Sequence, residues 1–158
     1  MKILGIDPGY GRCGFGVIEK NGQNFILIEY GCIETSKDLR LGQRLLQIDQ
    51  ALTELIKKHQ PDMAGVEELF FAKNVKTAMA VAEARGVVML VLQKAGLNVK
   101  EFKPVQIKQA LTGYGNSDKK AVQTMVKITL KLAEIPKSDD AADALAVAIT
   151  TATWQLPE

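Results

Sequence analysis

The segment that decides the fold is residues 2–7, Lys-Ile-Leu-Gly-Ile-Asp, together with the Pro-Gly-Tyr-Gly sequence at 8–11. The apolar residues predict a buried strand that ends in the carboxylate of Asp7. Proline presets φ and glycine accepts a positive φ, so residues 8–11 predict a turn. An isolated Asp-Pro-Gly sequence is explained as well by a turn as by a functional site, so the rest of the chain decides its meaning.

The pattern downstream predicts an α/β fold with a mixed five-stranded sheet flanked by helices, in a single domain of residues 1–158. Asn21-Gly22 predicts a hairpin, so the first three strands form an antiparallel meander. Strands separated by helices are expected to be parallel. We predict strands at 2–7, 14–19, 25–34, 63–67 and 99–102, and helices at 39–58, 77–94, 104–111, 118–132 and 138–153. Ser36 or Asp38 is expected to cap the first helix and Ser117 the fourth.

Composition excludes several classes of protein. The 158 residues, 47% hydrophobic and 24% charged, indicate a globular chain too short for two nucleotide-clasping lobes. We find neither a signal peptide nor an apolar run of ~20 residues, so a soluble cytoplasmic protein is expected. Cys13 and Cys32 are predicted to be reduced strand residues. His59 is predicted to lie on the surface at a helix end.

The charge is unevenly distributed along the chain. Residues 98–137 carry eight lysines and three acidic residues, whereas residues 138–158 carry four acidic residues and no basic one. A basic stretch followed by a compact acidic cluster is typical of a protein that holds a polyanion and binds a cation. A solvated lysine-rich helix would give the same count.

Four carboxylates are predicted to meet at one edge of the sheet. Asp7 and Glu67 end strands that should lie side by side, and Asp140 and Asp143 share one face at the start of the last helix. Oxygen ligands favour Mg²⁺ or Mn²⁺, and two such ions cleave phosphodiesters by activating a water and stabilising the leaving oxygen. Helix-dipole stabilisation alone explains an acidic first turn, but Asp143 lies among alanines and needs a partner or a metal.

Aromatic and basic residues in two loops indicate contact with nucleic acid. Phe70 opens a predicted loop at 70–76 that also carries Lys73, Asn74 and Lys76, and an exposed ring there would stack on bases. The alternative is that its ring caps the core. The residues Lys108, Lys119 and Lys120 flank a second loop at 112–117. Lysines in the first turn of a helix oppose the helix dipole, which favours a phosphate contact.

Five motifs together resemble the RuvC family of Holliday junction resolvases, over nearly the whole chain and in the same order. They are residues 5–9 (Gly-Ile-Asp-Pro-Gly), 66–70 (Val-Glu-Glu-Leu-Phe), 72–74 (Ala-Lys-Asn), 84–86 (Ala-Arg-Gly) and 140–146 (Asp-Ala-Ala-Asp-Ala-Leu-Ala). The resemblance implies a ribonuclease H-like fold. It also implies a homodimer whose two active sites nick opposite strands of a four-way DNA junction, leaving 5′-phosphate and 3′-hydroxyl ends, in recombination and repair.

The resemblance also implies roles for individual residues. Asp7, Glu67, Asp140 and Asp143 match the family's metal-binding acids. Phe70 matches the aromatic residue that contacts bases, and Lys108 and Lys119 match basic residues that assist DNA binding and catalysis. Asp139 precedes Asp140 and competes with it for the metal role, although the Asp-Ala-Ala-Asp spacing favours Asp140. A branch-migration helicase is the partner that the family implies.

Three alternative functions remain open from the sequence. A related nuclease acting on structured RNA would share the acidic site. A phosphate-binding ATPase-like module would use residues 7–11 as a phosphate loop, and a junction-binding protein without metal would need fewer acids. The helix at 77–94 carries apolar residues on two faces, so we expect one face to cover the sheet and the other to form the dimer contact.

Overall fold

The computed structural model describes residues 1–68 and 75–154, in which one five-stranded sheet has helices on both faces. The strands are β1 (Lys2–Asp7), β2 (Arg12–Asn21), β3 (Asn24–Glu34), β4 (Met63–Glu67) and β5 (Asn98–Phe102). The helices are α1 (Leu41–His59), α2 (Val75–Lys94), α3 (Pro104–Thr112), α4 (Lys119–Thr129) and α5 (Asp139–Thr153). The predicted order of elements is confirmed.

The sheet has the strand order β3-β2-β1-β4-β5 and is mixed, as predicted. Strands β1 to β3 form the antiparallel meander, while β1, β4 and β5 run parallel to one another. Ile6 pairs with Val66 in the parallel register, so the next residues, Asp7 and Glu67, leave the sheet side by side. This register brings the carboxyl ends of two central strands to one edge.

Two apolar cores lie on the opposite faces of the sheet. On one face, α1 and α2 cover side chains such as Leu4 and Val66. On the other, α3, α4 and α5 cover side chains such as Ile3 and Phe102. Alternate residues of β1 therefore belong to different cores, which explains why the strand reads as a continuous apolar run.

Helix α5 lies unusually close to the sheet because the strands beneath it carry glycines. A Cβ on Gly5 would overlap the backbone of Ala144 and Ala148, and one on Gly65 would overlap the Thr151 side chain. Gly14 and Gly16 of β2 meet α5 in the same way. Glycine in a strand interior marks such a close backbone approach. The contact sets the height of α5 above β1, β2 and β4.

Several predicted helix ends are wrong. Asp118, not Ser117, caps α4, because its carboxylate accepts a hydrogen bond of 2.7 Å from Ala121 N–H. The same helix ends at Thr129 rather than 132, and Lys131 then takes a left-handed φ of 53°. Helix α1 begins after Arg40, so neither predicted cap residue of the 36–38 segment serves it. Helix α2 begins at Val75, inside the predicted loop.

The prediction that His59 lies on the surface is also wrong. His59 is buried, and its Nε2 lies 2.6 Å from the Glu29 carboxylate. The contact ties the end of α1 to the edge strand β3. Cys13 and Cys32 are both free thiols, as predicted. Among the residues described, no helix combines the length and apolarity that crossing a membrane requires.

We predict that Gly5→Ala destabilises the protein by about 1–3 kcal/mol or more, because the added methyl group overpacks the interface with α5. That loss corresponds to a fall in Tm of roughly 2–4 °C for each kcal/mol. Differential scanning calorimetry measures it directly.

The matched control is Gly42→Ala, since Gly42 lies in α1 and a Cβ there meets no atom within 4 Å. Alanine is the better helix former by up to about 1 kcal/mol, so this variant should keep or raise the Tm. Equal Tm values for the two variants would contradict the close-packing explanation.

Candidate active site

The four predicted carboxylates come from three elements and act on one another. Asp7 and Glu67 end β1 and β4, and α5 carries Asp140 and Asp143 over the same edge. The negative charges of Glu67, Asp143 and Asp140 all raise the pKa of Asp7. Asp7, Glu67 and Asp143 also line one cleft of about 630 Å³. The structure therefore brings three of the predicted acids to one cleft and places Asp140 within electrostatic range of Asp7.

Burial and mutual repulsion make the ionised cluster costly. Burial is the main cause that raises the pKa of Asp7 well above its usual value, followed by the charge of Glu67. Burial and the charge of Asp143 raise the pKa of Glu67 from 4.5 to about 7. Burial also raises the pKa of Asp143. Such a cluster takes up either protons or cations near neutral pH.

Basic side chains balance the two carboxylates on α5. Arg12 Nε lies 2.7 Å from Asp140 Oδ2, and Lys119 Nζ lies 3.3 Å from Asp143 Oδ2. Within residues 1–68 and 75–154, no three Asp, Glu, His or Cys side chains converge as ready metal ligands. The two acids of α5 contact these cations instead. The oxygen-only donors and the buried charge nevertheless fit a hard divalent cation.

The structure separates Asp139 from Asp140. The Asp139 side chain is 66% exposed and accepts a hydrogen bond of 3.0 Å from Gln123 Nε2. Lys119 Nζ also approaches it, at 3.2 Å. The charges of both Asp139 and Asp140 raise the pKa of Asp143, and that of Asp140 also raises the pKa of Asp7. The geometry therefore favours Asp140 as the member of the cluster.

The cleft is partly basic. Lys103, Lys108 and Lys119 line the cleft together with the acids, and Lys119 contacts one of them, Asp143. Lys120 follows in the exposed first turn of α4, and Lys76 lies exposed in the first turn of α2. The predicted contacts Phe70, Lys73 and Asn74 fall outside the residues that the structure describes.

Sequence reasoning missed two contributors to the site. Arg12 was not singled out, although a charged residue that closes the turn after Asp7 is a usable signal. The strand glycines were also missed, although Gly5 and Gly65 lie at strand centres where glycine is unfavourable. Their match to an alanine-rich last helix was the available signal for close packing.

The strand order, with carboxylates at the ends of β1 and β4 and at the start of the last helix, defines a ribonuclease H-like α/β nuclease. The comparison with known families is equally specific. The chain belongs to the RuvC family, because the model described as "Crossover junction endodeoxyribonuclease RuvC" matches residues 3–151. The predicted fold and the predicted family are both confirmed.

Individual relatives support the assignment. The crossover junction endodeoxyribonuclease RuvC of Petrotoga mobilis is 55% identical over 148 residues, which are 94% of this chain and 91% of the relative. That of Caldicellulosiruptor saccharolyticus is 52% identical over 150 residues, 94% of this chain and 90% of the relative. The structure of T. thermophilus RuvC in complex with Holliday junction substrate superimposes with a TM-score of 0.90 at 35% identity, covering 96% and 93% of the two chains.

We predict that, after treatment with a chelator, Asp7→Asn raises the Tm above that of the parent protein, and that this gain is larger at pH 8 than at pH 5. Asp7 and Glu67 have folded-state pKa values above their unfolded ones, so they stabilise the fold at low pH. That contribution is lost as the pH rises through about 7, the folded-state pKa of Glu67. Because Asp7→Asn carries no charge at that position, the variant should lose less stability than the parent protein as the pH rises. The Tm of both proteins, measured in EDTA at pH 5 and pH 8, tests this prediction.

The matched control is Glu54→Gln, since the Glu54 side chain is 73% exposed on α1 and pairs with Lys57 of the same helix. Its Tm should follow the parent protein at both pH values. Parallel pH profiles for the parent and Asp7→Asn would refute the buried-charge explanation.

Proposed function

We propose that this chain is a metal-dependent endonuclease that resolves four-way DNA junctions by paired symmetric nicks. The observation that carries the proposal is a half-buried acidic cluster in a cleft that lysines also line, in a chain that belongs to the RuvC family. The products would be 5′-phosphate and 3′-hydroxyl ends, which a ligase can seal. The work belongs to DNA recombination and repair, in the cytoplasm.

Asp7, Glu67, Asp140 and Asp143 would hold the metal, with two Mg²⁺ ions per site and Mn²⁺ as a substitute. Bound ions of this kind activate a water and stabilise the leaving oxygen. The burial of Asp7 and Glu67 supports this assignment, because cations offset the repulsion that otherwise raises the pKa of both groups. The carboxylates on α5 complete an oxygen donor set that suits magnesium better than zinc.

The lysines would divide the work of holding DNA. Lys119 contacts Asp143 directly, and its ammonium group would lie where negative charge develops on the scissile phosphate. Lys108 lines the same cleft and would contact the backbone, with Lys120 and Lys76 farther out. Among the undescribed residues, Phe70 would stack on bases, and Lys73 and Asn74 would contact the strand beside it.

Paired nicks need two active sites, and the outer face of α2 supports a homodimer. One face of α2 buries Ala84 and Val88 against the sheet. The helix also exposes Met79 and Leu90, at 75% and 53%. A two-fold contact through this helix would cover them and orient two clefts toward one junction. A branch-migration helicase would be the further partner.

We expect Asp7→Asn to abolish Mg²⁺-dependent nicking of a labelled four-way junction while junction binding is retained. The substitution removes a ligand charge and leaves the lysine-lined wall intact. Denaturing gels measure nicking with and without Mg²⁺, and a mobility shift measures binding.

Glu54→Gln serves again as the control and should cleave like the parent protein. A structured RNA hairpin in parallel reactions tests the alternative RNA substrate. Retained Mg²⁺-dependent cleavage by Asp7→Asn would refute the metal assignment, and preferred cleavage of the RNA would refute the junction assignment.

We expect the parent protein to sediment as a dimer at micromolar concentration and Leu90→Glu to sediment as a monomer, because a buried unpaired charge is costly at an interface. Ile128→Glu is the control, since Ile128 is equally exposed but lies on α4, on the other side of the sheet. A monomeric parent protein, or the same shift in both variants, would contradict a dimer through α2.

A further inference from the structure

The loop of residues 113–117, Gly-Tyr-Gly-Asn-Ser, joins α3 to α4 at the mouth of the cleft. Gly115 and Asn116 line the cleft together with Asp7 and Glu67. Tyr114, next to them, is 61% exposed. An exposed tyrosine contributes little to the core, so its position needs another explanation.

The backbone of Tyr114 is held rigidly by side chains on both sides. Its N–H donates to Thr112 Oγ1 at 3.1 Å, and its carbonyl accepts from Ser117 Oγ at 2.8 Å. Thr112 Oγ1 and Ser117 Oγ lie 2.7 Å apart, and Thr112 also donates to the Lys108 carbonyl at 2.8 Å. The loop is therefore fixed to the end of α3.

Two glycines direct the ring outward. Gly113 has a φ of 76°, which other residues adopt only with strain. A Cβ on Gly115 would lie 2.7 Å from Val105 Cγ2, so the backbone passes close to α3 there. Gln109 Nε2 fixes the turn further by donating to the Gly113 carbonyl at 2.8 Å. The fold presents Tyr114 on a backbone that has little freedom left.

The lysines of the cleft indicate the chemistry of the ligand. Lys108 and Lys119, which line the cleft, lie before and after this loop in the chain, and lysines of this kind attract a polyanion. An exposed aromatic ring on a loop whose next two residues line such a cleft is suited to stack on a nucleic-acid base. Tyrosine loses little conformational freedom on binding, because it has only two side-chain torsions.

We propose that Tyr114 stacks on an unpaired base of the junction at the α3–α4 side of the cleft, and that Thr112 is the positioning residue that holds it there. The inference rests on the proposed function, because it names a DNA contact of the same site. It adds a second aromatic contact to the one proposed for Phe70, from a different part of the chain, and this contact helps to select a junction over a fully stacked duplex.

The test measures affinity for the junction, with every variant made in the Asp7→Asn background so that the DNA is not cleaved during the measurement. Tyr114→Ala should weaken binding to a four-way junction by on the order of tenfold. Tyr114→Phe keeps the ring and should bind within about twofold of its parent. The matched control is Tyr30→Ala, since Tyr30 is 41% exposed on the edge strand β3, and its affinity should not change.

The positioning role has its own readout. Thr112→Val removes the hydroxyl and should weaken binding as Tyr114→Ala does, whereas Thr112→Ser should restore it. The double variant should bind no more weakly than Tyr114→Ala alone, because both changes remove one contact. Junctions that carry 2-aminopurine at successive positions near the crossover should identify the stacked base. At one position the fluorescence of the complex should differ between the protein with Tyr114 and the Tyr114→Ala variant.

The outcomes separate this inference from the function on which it rests. If the Asp7→Asn protein itself does not bind the junction, the proposed function fails. If it binds and Tyr114→Ala binds equally well, only the stacking role fails. A loss for Tyr114→Phe as large as that for Tyr114→Ala would also overturn stacking, since the contact would then depend on the hydroxyl.

Discussion

Helix α5 lies directly against glycines of three strands, with its backbone on those of β1 and β2 and its side chains on Gly65 of β4, and the position of the acidic cluster depends on that contact. A side chain at Gly5 or Gly65 would lift the helix from the sheet. Asp140 and Asp143 would rise with it, away from Asp7 and Glu67. Close packing in the core is therefore what brings carboxylates from separate elements within electrostatic range. The stability of the α5 interface and the geometry of the site are consequences of the same glycine and alanine residues.

Two opposing effects act on the acids of the site: burial disfavours their ionised form, and nearby basic side chains stabilise it. Burial raises the pKa of Asp7 and Glu67, at the ends of the strands, whereas Arg12 and Lys119 hold the carboxylates of α5. Within residues 1–68 and 75–154, the strand acids form no ion pair like those of the helix acids. Because of that asymmetry, Asp7 and Glu67 depend more than the helix acids on a bound cation or proton. The repulsion between carboxylates is therefore greatest where β1 and β4 end.

Local patterns in the sequence predicted most of the fold, and long-range contacts account for most of what they missed. Apolar strands, the Asn21-Gly22 hairpin and the helical periods gave every element in order. Helix ends were less accurate, because adjacent residues such as Ser117 and Asp118 both suit a cap and only packing chooses between them. The burial of His59 depends on Glu29 of β3, and the pair of Arg12 with Asp140 spans 128 positions. No local pattern carries such contacts, although strand ends and helical spacing did indicate the four acids, and the family resemblance then matched the same four.

The packing of α5 on the strand glycines forms late during synthesis of the nascent chain. Strands β1 and β2 leave the ribosome before α5, the helix that packs on them, which is synthesised after every other described element. Until that helix arrives, the glycine-bearing face of the sheet has no cover, and glycine itself favours the unfolded chain. Half of the carboxylates and the helix that completes the core then dock in one event. An incompletely folded molecule therefore has no assembled nuclease site. The site forms only when α5 docks on the sheet and the fold is complete.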